Sequence, residues 1–431
     1  MYIQKAEIEN IRSIEKFEIE FKNPAGWHVL IGDNGAGKST IIRSMALVLV
    51  GDIQTEALRQ NWNEWLNKDT SQGKIRLDLL TDPEFDAFAD KEIENSRDDA
   101  ISIETSFRKR NIRTIIEDRY FLKAGEEPVE AWEIEGWNGF FSVAYGPYRR
   151  FKGGSPEWNE LFKSLNHEDL SAHLSIFDES VALTESVNWL QELDYKNLEK
   201  DSESQHTLDN LFKLINSEDF LPHNAKLKKV SSDGVFFKDG NGVLISVNQM
   251  SDGYRSILSM TFELIRQLVR VYGSDAVFKN IEKGEMFIDL PGVVLVDEID
   301  AHLHPTWQTR IGNWFLKYFP KLQFIVTTHS PLVCRAAEKG SIWRLAAPGS
   351  DEKSGEVTGV DRERLIYGNI LDAYGTEVFG EDVSISQKSV EKQEELVKLS
   401  KKKMLDAISP DEEEKLQDLK KVFTTDAPIE L

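Results

Sequence analysis

The chain has 431 residues, an ordinary apolar content of 40%, a formal net charge of −22 and a single cysteine, Cys334. That length fits two or three domains, the acidic balance argues against a nucleic-acid-coating surface, and one thiol excludes an intrachain disulfide framework. No apolar run approaches the ~20 residues of a membrane span, and the charged, alternating start MYIQKAEIENIRS lacks a secretory apolar core, so a soluble, cytoplasmic protein is expected.

In chain order, YIQKAEIENI and KFEIEF alternate and predict strands. GWHVLIG predicts a third strand ending in a glycine-rich loop, and KSTIIRSMALVLVG has helical length and spacing. KIRLDLL, AISIETSFRKR and TIIEDRYFLKA continue as strands, and EAWEIEGWNGFFSVAYG predicts a hairpin turning at Asn138-Gly139. The composition then changes. GGSPEWNELFKSL is a Gly/Pro break followed by helical spacing, and SVNWLQELDYKNLEK and HTLDNLFKLI predict amphipathic helices. GVFFKDGNGVLISV predicts a strand pair joined at Asp239-Gly240. A long helix, YRSILSMTFELIRQLVRVYG, precedes GVVLVDEID, whose near-continuous apolar run is typical of buried parallel strands. A helix over TWQTRIGNWFLKYF and a strand over LQFIVTTHS follow, so the order implies a parallel sheet with crossover helices. The tail is polar and helical (KSVEKQEELVKLSKKKML), then acidic.

These shifts divide the chain into a first lobe with the glycine-rich loop (1–152) and a mainly helical insertion (153–235). A second lobe (236–350) and a C-terminal extension (351–431) suited to a partner or oligomer interface follow. Three short basic stretches, FRKRNIR (107–113), YRRFK (148–152) and AKLKK (225–229), read as solvated faces, with a local basic groove as the alternative.

GDNGAGKST (32–40) satisfies G-x-x-x-x-G-K-S/T through Gly32, Gly37, Lys38 and Ser39, between a predicted strand and a predicted helix. Glycines let backbone N–H groups of Asn34, Gly35, Ala36, Gly37 and Thr40 converge on phosphate oxygens at a helix N-terminus. Lys38 supplies a mobile cation, and the Ser39 hydroxyl can ligate Mg2+. In VVLVDEID (293–300), Asp297 at the strand tip suits a Mg2+ shell. Glu298 suits polarising an attacking water, and Asp300 falls on the next turn; the alternative is a buried strand with an acidic end. His302 and His304 of AHLHP read as packed, hydrogen-bonded turn residues rather than metal ligands. FIVTTHSP places His329 at the carboxyl end of a parallel strand, where ligands bind and where an imidazole can donate to a γ-phosphate or steady a water; alone it reads as a core histidine. QMSDGYRS (249–256) starts a helix, with Ser251 either an N-cap or part of a loop sensing a nucleotide held by another subunit.

In this order the motifs resemble an ABC-type ATPase head, an α/β P-loop NTPase with a mixed β-sheet and flanking helices. They sit closer to the SMC/RecF/OLD branch than to transporters. The resemblance rests on residues 1–55 and 245–345. It implies ATP with Mg2+, and Arg12 and Ser13 of IENIRS near the nucleotide. It makes MSDGYRS the counterpart of the LSGGQ signature: Ser251 and Gly253 match the serine and second glycine, whereas Asp252 and Tyr254 depart. Asp300 becomes the D-loop aspartate. It further implies a head-to-head dimer, or a multiple of dimers, in which Ser251 and Gly253 reach a nucleotide bound by the opposite head. A carboxylate at Asp252 then costs Coulomb energy unless it points away or meets Arg255. The family's Q-loop glutamine has no counterpart; VAYGPYRR (143–150) falls there, and Arg149 and Arg150 are expected to take over some of its contacts, with loss of hydrolysis efficiency.

The short gap between phosphate loop and signature, without sustained heptads, argues against a long coiled-coil arm. The stretch after His329, without a D-x-D cluster, is expected to lack an OLD-type nuclease domain. The remaining layout, an ATPase head with a short helical insertion and a helical C-terminal extension, resembles the ATPase component of Septu-type anti-phage systems and their retron-associated relatives. RLIYGNILDAYGTEVFG (364–380) resembles the stretch after the ATPase core in that group. This implies a separately encoded HNH-type nuclease subunit, nucleic acid engaged through the complex, and no membrane role. A RecF-like DNA-repair ATPase and a non-hydrolysing, ATP-organised scaffold remain open alternatives.

Overall fold

The computed structural model describes residues 1–51, 55–58, 60–88, 100–122, 127–130, 137–151, 168–350, 352–369, 387–405 and 408–423. The helix expected within 153–165 and most of the 364–380 stretch lie outside them. The chain forms two units, Met1–Tyr367 and Gly368–Leu431.

The first unit is built on two six-stranded sheets. Its strands are β1 (Tyr2–Ile11), β2 (Ile14–Glu20), β3 (Gly26–Ile31), β4 (Gln72–Leu80), β5 (Ala87–Phe88), β6 (Ala100–Arg110), β7 (Arg113–Phe121), β8 (Val129–Glu130), β9 (Trp137–Asn138) and β10 (Ser142–Tyr145). They continue with β11 (Lys226–Ser231), β12 (Gly234–Lys238), β13 (Leu244–Ser246), β14 (Gly292–Val296), β15 (Leu322–Thr328), β16 (Gly340–Arg344) and β17 (Gly355–Glu356). The outer sheet, β2-β1-β4-β6-β7-β8, is antiparallel throughout. Its strands alternate in burial because one face is packed and the other is solvated. The inner sheet, β10-β14-β15-β3-β16-β17, is parallel except for its last pair. Its strands β3, β14 and β15 are buried at every position, which is why they are unbroken apolar runs rather than alternating ones.

Helix α1 (Lys38–Val50) is buried between the sheets. Its Ile41, Ile42 and Met45 share one core with Ile8 and Leu77 of the outer sheet and Leu295 of the inner sheet. A helix enclosed on two sides has no broad polar face, and Leu47 and Val48 are as buried as Ile41. Buried Gln323 joins the two layers: its Nε2 donates to Ile3 O (2.8 Å) and its Oε1 accepts from the Ile3 N–H (2.7 Å).

Helices α2 (Glu185–Leu198) and α3 (Ser202–Ile215) pair, followed by the small sheet β11-β12-β13, then α4 (Asp252–Tyr272), α5 (Ser274–Glu282), α6 (Ile311–Tyr318) and α7 (Gly359–Tyr367). Helices α8 (Gln387–Met404) and α9 (Pro410–Val422) form the second unit. They are joined by a small core of Leu399, Leu416 and Leu419 and by ion pairs such as Lys403–Glu413 (2.7 Å). Among the described residues no helix is long and apolar enough to cross a membrane.

Two turn expectations need correction. The segment around Asn138-Gly139 does not close a hairpin: β9 pairs with β5, and β10 joins the inner sheet in parallel with β14. VAY is buried at all three positions, so it suits a two-sided core strand better than a half-solvated hairpin arm. The β12–β13 hairpin forms, but Lys238 pairs with Leu244, so residues 239–243 make a five-residue loop rather than a two-residue turn. Asp239 holds it, its Oδ1 accepting from the N–H groups of Asn241 (3.0 Å) and Val243 (2.8 Å).

Candidate functional site

Parallel register brings three strand ends to one edge. Ile31 of β3 pairs with Thr328 of β15, and Val326 of β15 pairs with Val296 of β14. Everything that follows these strands therefore starts from one edge of the sheet, the usual ligand side of a parallel sheet. The loop after β3 crosses it with Gly35 at φ 82° and Gly37 at φ 95°, a left-handed region where only glycine is unstrained. Gly37 caps α1, which carries no acidic residue in its first turn. Lys38 lies back over this loop, its Nζ donating to Gly32 O (2.7 Å) and Asp33 O (3.0 Å). Burial lowers the Lys38 pKa, opposed by the nearby Asp297, Glu298, Asp33 and Asp300 charges.

Ser39, in the first turn of α1, donates from Oγ to Asp297 Oδ1 (3.1 Å). The same Oδ1 accepts from Thr327 Oγ1 (2.6 Å), and Thr327 Oγ1 accepts the Glu298 N–H (2.7 Å). Glu298 has φ +48°, an unusual conformation for a residue with a Cβ. The next threonine repeats the device: Thr328 Oγ1 donates to Asp300 Oδ1 (2.5 Å) and accepts the Ser330 N–H (2.9 Å). His329 stands exposed between these two anchors at the end of β15. In the sequence, TTHS draws the eye to His329, and neither threonine stands out from the strand that carries it. The missed signal was two hydroxyls at a strand end beside an acidic strand.

Arg149 is corrected. The sequence suggested that it replaces glutamine contacts to nucleotide or metal; it is instead 4% exposed and turned into the protein. Its Nη1 donates to Gly146 O and Asp297 O (both 2.9 Å), its Nη2 to Glu298 O (2.9 Å) and Ile299 O (3.3 Å), and its Nε to Ser256 Oγ (3.1 Å). Five donors meet five acceptors, which leaves none for a phosphate. Burial pulls the guanidinium down to about 10 against the Asp300, Asp297 and Glu298 charges, so it keeps its charge at neutral pH. Arg150 lies at the surface, its Nη2 donating to Glu179 O (3.4 Å).

Ser251 occupies the N-cap position of α4, but its side chain makes no capping hydrogen bond and it is exposed. Asp252 pairs with Arg255, one of the two escapes from its awkward charge. A Cβ at Gly253 would come within 3.2 Å of His302 O, so the helix start rests on the turn after Asp300. His302 and His304 are exposed rather than packed; His304 caps the one-turn helix Pro305–Gln308, its Nδ1 accepting from Thr306 N–H (3.3 Å). The β1–β2 turn borders the phosphate loop through Ile14, whose side chain lies 3.4 Å from where a Gly37 Cβ would stand. Ser13 is exposed there, and the Arg12 guanidinium stacks 4.6 Å above the Trp65 ring, where burial and the neighbouring Arg43 lower its pKa.

A glycine-rich loop at a helix start, a serine meeting an acidic strand tip, and an uncapped serine on a second helix define a P-loop ATPase head. The family model described as "AAA domain, putative AbiEii toxin, Type IV TA system" matches residues 28–335. The chain belongs to that family, and it is an ATPase of the SMC/RecF/OLD type related to the Septu protein PtuA. It is 31% identical to PtuA of Bacillus thuringiensis over 363 residues, 82% of this chain and 77% of that protein. To PtuA of Bacillus mycoides (strain KBAB4) it is 27% identical over 346 residues, 79% of this chain and 40% of that protein. To the Retron Ec83 probable ATPase of Escherichia coli it is 39% identical over 128 residues, 29% of this chain and 22% of that protein. The chain thus spans less than half the length of the last two relatives. Among solved structures, an SMC head bound to the C-winged helix domain of ScpA is similar over 84% of this chain and 100% of that chain, at TM-score 0.47 and 16% identity.

Proposed function

We propose that the chain is the ATP-binding and ATP-hydrolysing subunit of a cytoplasmic anti-phage defence complex, in which nucleotide-dependent head pairing controls a separate HNH-type nuclease acting on nucleic acid. The similarity to PtuA supports the defence role. The convergence of Ser39 and Asp297 on one hydrogen bond, 3.1 Å long and directly under the phosphate loop, carries the ATPase reading.

In this reading the backbone from Asn34 to Thr40 cradles the phosphates, and Lys38 leaves the Gly32 and Asp33 carbonyls to meet them. Ser39 Oγ and Asp297 Oδ1 are hard oxygen donors already side by side, a set that fits Mg2+; when bound, that ion offsets phosphate charge. Glu298 orients and deprotonates the attacking water, and His329 donates to the γ-phosphate. Arg12 and Ser13 border the nucleotide, and Asp300 lies at the junction with the opposite head. The uncapped Ser251 hydroxyl and the Gly253 N–H reach the other head's γ-phosphate, so the bound nucleotide joins the heads and its hydrolysis releases them.

One observation favours slow turnover and keeps the scaffold reading in view. Residues 146–150 contain no glutamine, and Arg149 is spent on backbone carbonyls. The RecF-like reading is less well supported. On the solvated face of the outer sheet, cations are matched by carboxylates, as in Lys5–Glu18, Lys74–Glu9 and Arg76–Asp78.

The test is Lys38→Ala against Glu298→Gln. Lys38→Ala should abolish binding of a fluorescent ATP analogue, whereas Glu298→Gln should bind normally and release phosphate at least about a hundredfold more slowly. Unchanged ATP affinity in Lys38→Ala would reject the phosphate-loop assignment. Co-purified nuclease activity that persists in Lys38→Ala would reject the control role.

A further inference from the structure

Three successive carbonyls, those of Asp297, Glu298 and Ile299, converge on one buried guanidinium. Backbone can curl this way only if the middle residue leaves the extended region, and Glu298 does so at φ +48°. A residue with a Cβ holds that conformation only where its surroundings enforce it. Two contacts do so here: Thr327 Oγ1 takes the Glu298 N–H at 2.7 Å, and Arg149 takes its carbonyl at 2.9 Å. With both flanking peptides pinned, the direction of the Glu298 Cα–Cβ bond follows from the backbone.

The fifth donor of Arg149 leaves this turn altogether. Its Nε reaches Ser256 Oγ at 3.1 Å. Ser256 lies on α4, five residues beyond Ser251, and is 2% exposed. One rigid side chain therefore bridges the helix that begins at Ser251 and the backbone that aims Glu298. The planar fork matters, because an ammonium offers three donors in a different geometry and cannot satisfy five converging acceptors.

We infer that Arg149 is a positioning residue that couples the α4 helix start to the Glu298 backbone, so that a γ-phosphate engaging Ser251 from the opposite head sets the aim of Glu298 in this one. The inference rests on the ATPase reading above and adds a regulatory link within that site. Hydrolysis is fast when α4 is held by the opposite head and slow when it is not, and Arg149 transmits the difference without touching nucleotide. The bridge is internal to one chain, so it requires no new interface.

Ser256→Ala tests this most cleanly, because it removes the acceptor on α4 and leaves the four carbonyl contacts in place. Its expected signature is a fall in kcat of about tenfold at unchanged ATP affinity, beside a lower melting temperature from the unpaired Arg149 Nε–H. Arg149→Lys should give a comparable or larger fall in kcat, and the double variant should be no slower than Arg149→Lys alone, since both changes break one link. If Arg149→Lys fails to fold, Ser256→Ala alone decides. Wild-type kcat in Ser256→Ala while Glu298→Gln is silent overturns the coupling and leaves the ATPase reading standing. So does a Ser256→Ala effect confined to ATP affinity or melting temperature. Wild-type turnover in Glu298→Gln overturns the ATPase reading and the coupling together.

Discussion

Thr327 shows how much a single hydroxyl can hold in place. It donates to Asp297 Oδ1 at 2.6 Å and accepts the Glu298 N–H at 2.7 Å, so it serves both acidic residues from the neighbouring strand. Thr327→Val keeps the shape and removes both bonds. It leaves the Glu298 N–H unpaired in the half-buried turn after β14, which should cost about 1 kcal/mol of stability. It should also lower kcat by at least about tenfold while ATP still binds, as read by urea unfolding beside phosphate-release kinetics. Wild-type kcat in that variant would show that Glu298 is aimed by something else. The places of Ser251, Asp297 and His329, at a helix start and at two strand ends, were legible one by one, because each belongs to a contiguous motif. Thr327 and Arg149 were not, because their partners lie 29 and 148 residues away in the sequence, and nothing local in a threonine or an arginine reveals the far end of its hydrogen bond.

At the level of the element, β3 carries the phosphate loop and is pinned to its neighbour through His28. The ring Nε2 donates to Pro24 O (2.8 Å) and Nδ1 accepts from Ser341 Oγ of β16 (2.9 Å), an arrangement that suits the neutral imidazole. Burial pushes its pKa down from 6.5 to about 4, opposed by the Pro24 and Asn23 carbonyls. The unfolded chain therefore binds a proton below pH 6.5 that the folded chain refuses until about pH 4. Stability from this group is intact above the upper value and lost as pH falls toward the lower one, by up to about 3 kcal/mol. Urea unfolding at pH 7.5 and pH 4.5 should show that loss, and a His28→Gln variant should show a smaller one. Equal pH dependence in the two proteins would assign the acid sensitivity to carboxylates instead. On the other face of β3, a Cβ at Gly312 of α6 would stand 2.4 Å from the Ala336 Cβ and 2.7 Å from the Trp27 ring. Gly312→Ala should therefore destabilise by about 1–3 kcal/mol through overpacking alone, visible as a lower urea midpoint at unchanged slope.

At the level of the whole molecule, the outstanding question is whether one nucleotide site needs two chains. Ser251 is exposed at the start of α4 and makes no capping bond, while Asp252 is occupied by Arg255, so this helix start is available to a second molecule. Ser251→Arg and Lys38→Ala proteins should each be inactive alone and regain about a quarter of the wild-type rate when mixed in equal amounts. Half the dimers are then mixed, and each of these keeps one intact composite site beside one doubly mutant site. No recovery on mixing would place the whole site within one chain. Light scattering of Glu298→Gln with and without ATP should show association only with nucleotide.

The sequence by itself determined the glycine-rich loop between β3 and α1, the acidic strand end, the buried parallel strands around them and the family to which the chain belongs. Each is written in a short contiguous run whose local geometry or periodicity depends on neighbours in the chain. Only the tertiary structure decided where β9 and β10 go, because pairing of short apolar segments depends on which faces are covered and not on the turn between them. Only it revealed that Arg149 faces inward. A guanidinium beside a presumed phosphate site reads as a phosphate contact, yet three carbonyls and a serine far along the chain compete for it, and in the folded protein they occupy it.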